Sequence, residues 1–297
     1  MTIALTIAGA LLILVALRDM FHQLFHPGAS GAFSRWLMAI IWRCFRLVAV
    51  RNPKVLHVAG PVTLLGVIGS WTLLLVAGWA LIYYPHLPDA FRFSSGMDPQ
   101  QYRGWVTAFY ISVVTLVTLG YGDITPTAGW LRLLAPVQAL VGFALLSAGV
   151  SWVLSLYPVL ARRRSFSQEV ALLREAESAS GVSLVSQAHA ADQLHALASR
   201  LVMIRGDLLQ FPVTYYFHTR QNDPPLFRGI PYLWELAACG KEKDQPEAVR
   251  LAATMLALAI DQLAQALAAE FAQLKAASTM KVFARYAEDH ACASEPA

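Results

Sequence analysis

The residues best placed to do chemistry are Thr118-Leu119-Gly120-Tyr121-Gly122-Asp123, with a further threonine at Thr115. The reactive groups here are backbone carbonyl oxygens. A cation that sheds its water needs a cage of oxygens, and successive carbonyls supply one only if they point the same way. An ordinary strand alternates its carbonyls, so the segment needs positive or otherwise unusual φ at regular intervals. Gly120 and Gly122 reach such φ at no steric cost. Thr118 adds a hydroxyl oxygen at one end, while Leu119 and Tyr121 can turn outward and brace the ribbon.

Such a ribbon must be held between long apolar elements, and the chain supplies them. Of 297 residues, 57% are hydrophobic and 14% charged, with a mean hydropathy of +0.49. That profile belongs to a membrane protein with a substantial soluble part. Residues 61–84 and 133–160 carry no charge and flank the ribbon; each exceeds the ~20 apolar residues needed to cross hydrocarbon. Residues 2–17 form a third candidate span that continues past Arg18 towards Phe25. No basic residue precedes it and no small-residue cleavage site follows, so it reads as an uncleaved helix. Asp98-Pro99 is a helix start, predicting a short helix over residues 100–117 that Gly104 weakens. Its carboxyl end at Thr115 and Thr118 would present partial negative charge to a waiting cation. Tyr110 and Trp105 are rings suited to packing around it. Pro126 and Gly129 turn the chain into the following helix, which Pro158 is expected to end. Leu145 and Leu146 are its candidate cavity-lining residues.

This arrangement resembles the pore module of prokaryotic potassium channels of the two-transmembrane, re-entrant pore-loop family, over about residues 61–160. The resemblance implies an all-α membrane protein: a tetrameric pore-loop channel module plus an α-helical cytoplasmic domain. It implies that four chains meet on an axis as a homotetramer, with K+ ions held at Thr118, Leu119, Gly120 and Tyr121 and the filter completed by Gly122. Thr115 and Asp123 would support the filter, and Gly142 and Gly149 would be gating hinges, although both glycines equally suit close helix packing. Leu119 stands where valine or isoleucine is usual, and Val117 where threonine is frequent; neither change removes a carbonyl. Val114 replaces a glutamate that in some members pairs with the aspartate after the filter, so Asp123 lacks that partner.

Basic residues set the expected orientation. Arg18, Arg35, Arg43, Arg46, Arg51 and Lys54 lie between the first two spans, and Arg162, Arg163 and Arg164 follow the last. Positive charge marks the cytoplasmic side, so the amino terminus is expected outside, the filter loop outside and the carboxyl-terminal part inside a cell membrane. The expected domains are an amino-terminal membrane helix (1–27), a cytoplasmic loop with an interfacial amphipathic helix (28–58), the pore module (59–160) and a helical cytoplasmic domain (161–297). The arginines of residues 33–50 share one side of a helical wheel, which suits headgroup contact with membrane lipids and lacks the repeated spacing of a voltage sensor. His22 and His26 have no companion carboxylate or cysteine at metal-ligand spacing. Cys44, Cys239 and Cys292 read as reduced thiols.

In the tail, helical periodicity marks residues 166–178, 182–210 and 247–277, the last with Leu256, Ile260, Leu263, Leu267 and Leu274 in step. Residues 211–240 differ: Phe211-Pro212-Val213-Thr214-Tyr215-Tyr216-Phe217 and Asp223-Pro224-Pro225 suggest an ordered loop, either core packing or a site for a regulatory ligand. No Gly-rich dinucleotide or phosphate loop and no catalytic triad is present, so neither an enzyme nor a cofactor is expected; K+ is cargo. A net charge of +4 is largely explained by the juxtamembrane arginines, which disfavours nucleic acid as a partner. Two alternatives stand beside the potassium pore: a poorly selective cation channel, and a membrane-anchored signalling or scaffold protein acting through its helical tail.

Overall fold

Apolar periodicity becomes helix almost throughout, as an all-α membrane protein requires. A computed structural model describes residues 2–25, 31–218, 224–276 and 278–290; His26, Asp223 and Cys292 lie outside them. The helices are α1 (Thr2–Phe25), α2 (Ala32–Ala49), α3 (Leu56–Tyr83), α4 (Trp105–Leu116), α5 (Gly129–Ser180), α6 (Ala190–Gln210), α7 (Leu226–Gly240), α8 (Glu247–Glu270) and α9 (Thr279–His290). One antiparallel pair, β1 (Phe91–Phe93) with β2 (Ile124–Pro126), is the sheet among the described residues, in the register Phe91–Pro126, Arg92–Thr125, Phe93–Ile124. By length and composition α1, α3, α5 and α8 could each cross a membrane. Packing divides the chain into two units, Met1–Met38 with Leu64–Leu154, and Ala39–Thr63 with Ser155–Ala297.

In the first unit α1 lies against α3 through glycines. A Cβ on Gly9 would come within 2.4 Å of the Gly78 carbonyl oxygen, and one on Gly78 within 2.7 Å of Ile13. Close backbone approach of this kind replaces the hydrophobic drive that lipid abolishes. Asp19, buried in α1, would be costly in lipid without partners. It has three: the Trp71 indole N–H at 2.9 Å, the Ser34 hydroxyl, and the Ser34 backbone N–H at 3.4 Å in the first turn of α2. The carboxylate therefore caps one helix from another.

The short helix expected over residues 100–117 breaks in two. Asp98 accepts from Gln100 N–H at 3.0 Å and starts a 3-10 turn over Pro99–Tyr102; Gly104, with φ −89° and ψ 168°, then restarts the chain as α4. The extended backbone at Gly104, as the N-cap of α4, separates the two turns. The opposite error occurs at Pro158. The chain does not stop there, and the separate helix expected at residues 166–178 is the continuation of α5, 52 residues long. At 1.5 Å per residue that is about 78 Å, more than twice the ~30 Å of hydrocarbon. A proline removes one backbone bond, but apolar surroundings offer no water to open the turns on either side.

In the second unit α8 is central: α6, α7 and α9 all pack on it. Leu256, Ile260, Leu263 and Leu267 are all buried, which makes α8 the core of a bundle. The helix expected over 182–210 begins only at Ala190, because Gly181 (φ +69°) ends α5 and a 3-10 turn fills Leu184–Ser186. The helix expected over 247–277 ends at Glu270, where Phe271 turns extended, and α9 was not foreseen. The described parts of 211–240 are not one long loop. They form a 3-10 turn, Pro212–Tyr216, and then α7, whose Pro231 hid a helical stripe of Ile230, Leu233, Leu236 and Ala237.

Candidate functional site

The site begins where α4 runs out. Val117 N–H still bonds to the Val113 carbonyl at 3.0 Å and Thr118 N–H to the Thr115 carbonyl at 3.1 Å. The Val114 carbonyl then receives both Leu119 N–H at 3.0 Å and Gly120 N–H at 3.4 Å. Beyond this cap φ is +59° at Thr118, +56° at Gly120 and +78° at Gly122. Positive φ thus recurs at every second residue, with Leu119 and Tyr121 between at negative values. Alternation of this sign departs from an ordinary strand, whose carbonyls alternate from side to side. Thr118 is the single non-glycine residue with positive φ among those described. A β-branched side chain there is strained by about 1–3 kcal/mol. Thr118, Leu119, Gly120, Tyr121 and Gly122 are all exposed on the single chain, whereas Thr115 is half-buried in the last turn of α4.

Asp123 follows the ribbon and is held from two sides. Its carboxylate accepts the Tyr110 hydroxyl at 2.7 Å, and its carbonyl accepts Ser94 N–H at 2.8 Å. Tyr110 therefore fills the position left open by Val114, a pairing that its simple reading as a packing ring missed. The signal was present: Tyr110 and Thr115 bracket the last turns of α4, and a tyrosine there can reach back over the ribbon. The β1–β2 pair, with Thr127 N–H bonded to the Ala90 carbonyl at 2.8 Å, fixes where the chain leaves. Trp105 stacks on Tyr84 with ring centroids 3.8 Å apart, so the start of α4 is braced against the end of α3.

Behind α4 lies a polar network that the sequence reading did not identify. Gln138 of α5 is fully buried; its amide donates to the Ser112 carbonyl at 2.8 Å and accepts the Tyr83 hydroxyl at 2.6 Å. Ser112 in turn donates to the Val76 carbonyl at 2.8 Å. Three helices are joined by polar groups in an apolar setting, where an unmet partner is costly. A lone glutamine inside a charge-free span was the available clue.

The two glycines of α5 sit in different surroundings. A Cβ on Gly142 would lie 1.7 Å from the Leu116 carbonyl oxygen, the last residue of α4; one on Gly149 would meet Ile68 at an ordinary 3.8 Å. α5 is helical through both. Of the two candidate lining residues, Leu145 is buried within the chain and only Leu146 is exposed. In the tail, Pro212, Val213, Thr214, Tyr215 and Tyr216 are buried. The cavity lined by Arg163, Thr214 and Tyr286 has about 20 Å³ of accessible space, room for one water and far too little for a nucleotide.

Comparisons with known proteins cover this region best. Residues 70–157 match the family model described as an ion channel, and this match points to transport rather than catalysis. The chain is 27% identical over 224 residues to the uncharacterized membrane protein YdjJ of Bacillus subtilis, covering 73% of this chain and 63% of that protein. It is 46% identical over 55 residues to two-pore potassium channel 5 of Arabidopsis thaliana, 17% of this chain and 14% of that one. Over 88 residues it is 38% identical to two pore potassium channel c of rice, Oryza sativa subsp. japonica, 28% of this chain and 18% of that one. The chain thus spans under two thirds of the length of each of these relatives. No solved structure matches it.

Proposed function

We propose that this chain is one subunit of a homotetrameric, potassium-selective channel that conducts K+ passively through the ribbon Thr118–Leu119–Gly120–Tyr121–Gly122. The observation that carries the reading is the positive φ at residues 118, 120 and 122, directly after the carboxyl end of an apolar helix. Each chain brings one wall of oxygens, so a closed cage requires several copies, and four give the eightfold coordination of a dehydrated monovalent ion. The ion-channel similarity of residues 70–157 and the two potassium-channel relatives support the same reading.

In this account the carbonyls of Thr118, Leu119, Gly120 and Tyr121 replace the water of the ion, and the four α4 dipoles stabilise the ion waiting below. Thr115 and Asp123 support the ribbon, Asp123 through Tyr110. The chain needs no cofactor for this. The amino terminus and the ribbon's outer end face the exterior, and α6–α9 face the cytoplasm, following the distribution of arginines. We place the flexing point of α5 at Gly149, where a Cβ would make only ordinary contact with Ile68, while Gly142 lets α5 lie against the end of α4.

The direct test is flux through purified protein in liposomes, wild type beside Gly120→Ala. Within the single chain a Cβ at Gly120 meets nothing within 4 Å, so inside one subunit the variant acts through backbone conformation. An L-residue held at φ +56° costs about 1–2 kcal/mol in each subunit. Wild type is expected to carry K+, and the variant to insert and assemble but not conduct. Undiminished K+ flux in Gly120→Ala would refute the role given to this ribbon.

A further inference from the structure

The segment Phe211–His218 makes polar and packing contacts to several elements of the second unit. Arg163 of α5 donates to the Thr214 carbonyl at 2.8 Å and to the Phe217 carbonyl at 2.9 Å. Phe217 lies against Gly60 of α3 so closely that a Cβ there would sit 2.6 Å from its ring. The Tyr215 hydroxyl donates to Asp289 of α9, which also accepts the Trp42 indole N–H at 2.9 Å and Arg46 of α2 at 2.5 Å. The segment is a strap that ties the beginning of α3 and the later part of α5 to α2 and α9.

The strap ends in a row of imidazoles. His218 stands edge-on to His57 of α3, ring centroids 5.1 Å apart, and parallel to His290 of α9 at 6.5 Å. We propose that this histidine row makes the strap a proton switch: protonation of His218 releases residues 211–218 and thereby couples acidity to α3 and α5. As a statement about channel regulation, this rests on the pore reading above; as a statement about the strap, it does not.

The charges around His218 decide the sign. From α5 comes Arg163, whose guanidinium is bonded to two carbonyls rather than to a carboxylate. From α3 comes His57. From α9 come His290, Tyr286 and Asp289, the last already receiving Arg46, Trp42 and Tyr215. Arg43 of α2 and Glu270 of α8 act on Tyr216, next but one in the strap. Among the described residues, a proton on His218 therefore meets the Arg163 guanidinium, and the nearby Asp289 carboxylate is already engaged. Burial first, then His57, then Arg163, hold its imidazole below the ordinary value of about 6.5. His290 is held down further, to about 4, chiefly by burial, which outweighs the Tyr215 carbonyl and Asp289. A base whose folded value is depressed binds fewer protons in the closed strap than in the released one. Its contribution is complete above about 6.5 and is lost as pH falls below that value.

The test is amide hydrogen exchange of residues 211–217 in the full-length protein in phosphatidylcholine vesicles, at about pH 7.5 and about pH 5.5, corrected for intrinsic exchange. Protection in the wild type is expected to fall several-fold on acidification. His218→Gln should abolish the fall, and His57→Gln, at an exposed position, should reduce it, while His195→Gln, also exposed, should not. Protection that is unchanged between the two pH values, or that falls equally in His218→Gln and His57→Gln, overturns the proposal. Potassium flux from the same vesicles separates the two claims. Acid-dependent exchange without flux upholds the switch and counts against the pore; flux without acid-dependent exchange does the reverse.

Discussion

At the residue scale, the proposed function turns on backbone torsions rather than on reactive side chains. Two of the three positive-φ positions are glycines and cost nothing; Thr118 is the strained one, at +59°. Strain of this size persists only where neighbours enforce it, and the paired N–H groups of Leu119 and Gly120 on the Val114 carbonyl are part of that enforcement. Asp123 is another. Its bond to Tyr110 should be worth about 1–2 kcal/mol per subunit, so Tyr110→Phe is expected to leave ion preference intact while lowering thermal stability and shortening conduction. Thermal unfolding together with the decay of flux after a voltage step would measure both effects. An unaltered decay would mean that Tyr110 does not brace the ribbon. The ribbon itself was readable from six letters, because glycine at alternate positions has so few other uses between apolar spans. Its brace was not, because Tyr110 and Asp123 meet only once β1 and β2 have fixed the chain's exit.

At the element scale, the close approach of α5 to α4 is the contact with the least tolerance. Gly142→Ala would drive a methyl group to 1.7 Å from the Leu116 carbonyl oxygen and must displace the end of α4. Gly149→Ala adds a methyl group at 3.8 Å from Ile68 and asks nothing of its neighbours. Gly142→Ala should therefore disturb ion discrimination and stability together, whereas Gly149→Ala should spare both and alter only how often the channel opens. Single-channel recording distinguishes the two; equal loss of selectivity in both variants would contradict this division. The spans α1, α3 and α5 were legible because charge-free stretches of that length have few alternatives. What misled was proline and glycine. Pro158 lies within α5 and Pro231 within α7, since burial on both sides outweighs one missing backbone bond. Gly104, a single weak point, was enough to split a helix.

At the scale of the whole molecule, the proposed channel has each chain contribute one wall and share the ion with its neighbours. Leu119 and Tyr121 are exposed on the single chain, at 52% and 68%, as that proposal requires. Faces of this kind, beside an exposed Leu146, are apolar surface awaiting other copies or lipid. The tail forms a second unit built on α8. Selectivity belongs to the first unit in this account, and control to the second. The central claim is selective coordination by the carbonyl ribbon, and the reversal potential of reconstituted protein with K+ on one side and Na+ on the other tests it most directly. The account predicts a reversal close to the K+ equilibrium potential. A reversal near zero, as for a pore that passes both ions alike, would contradict it.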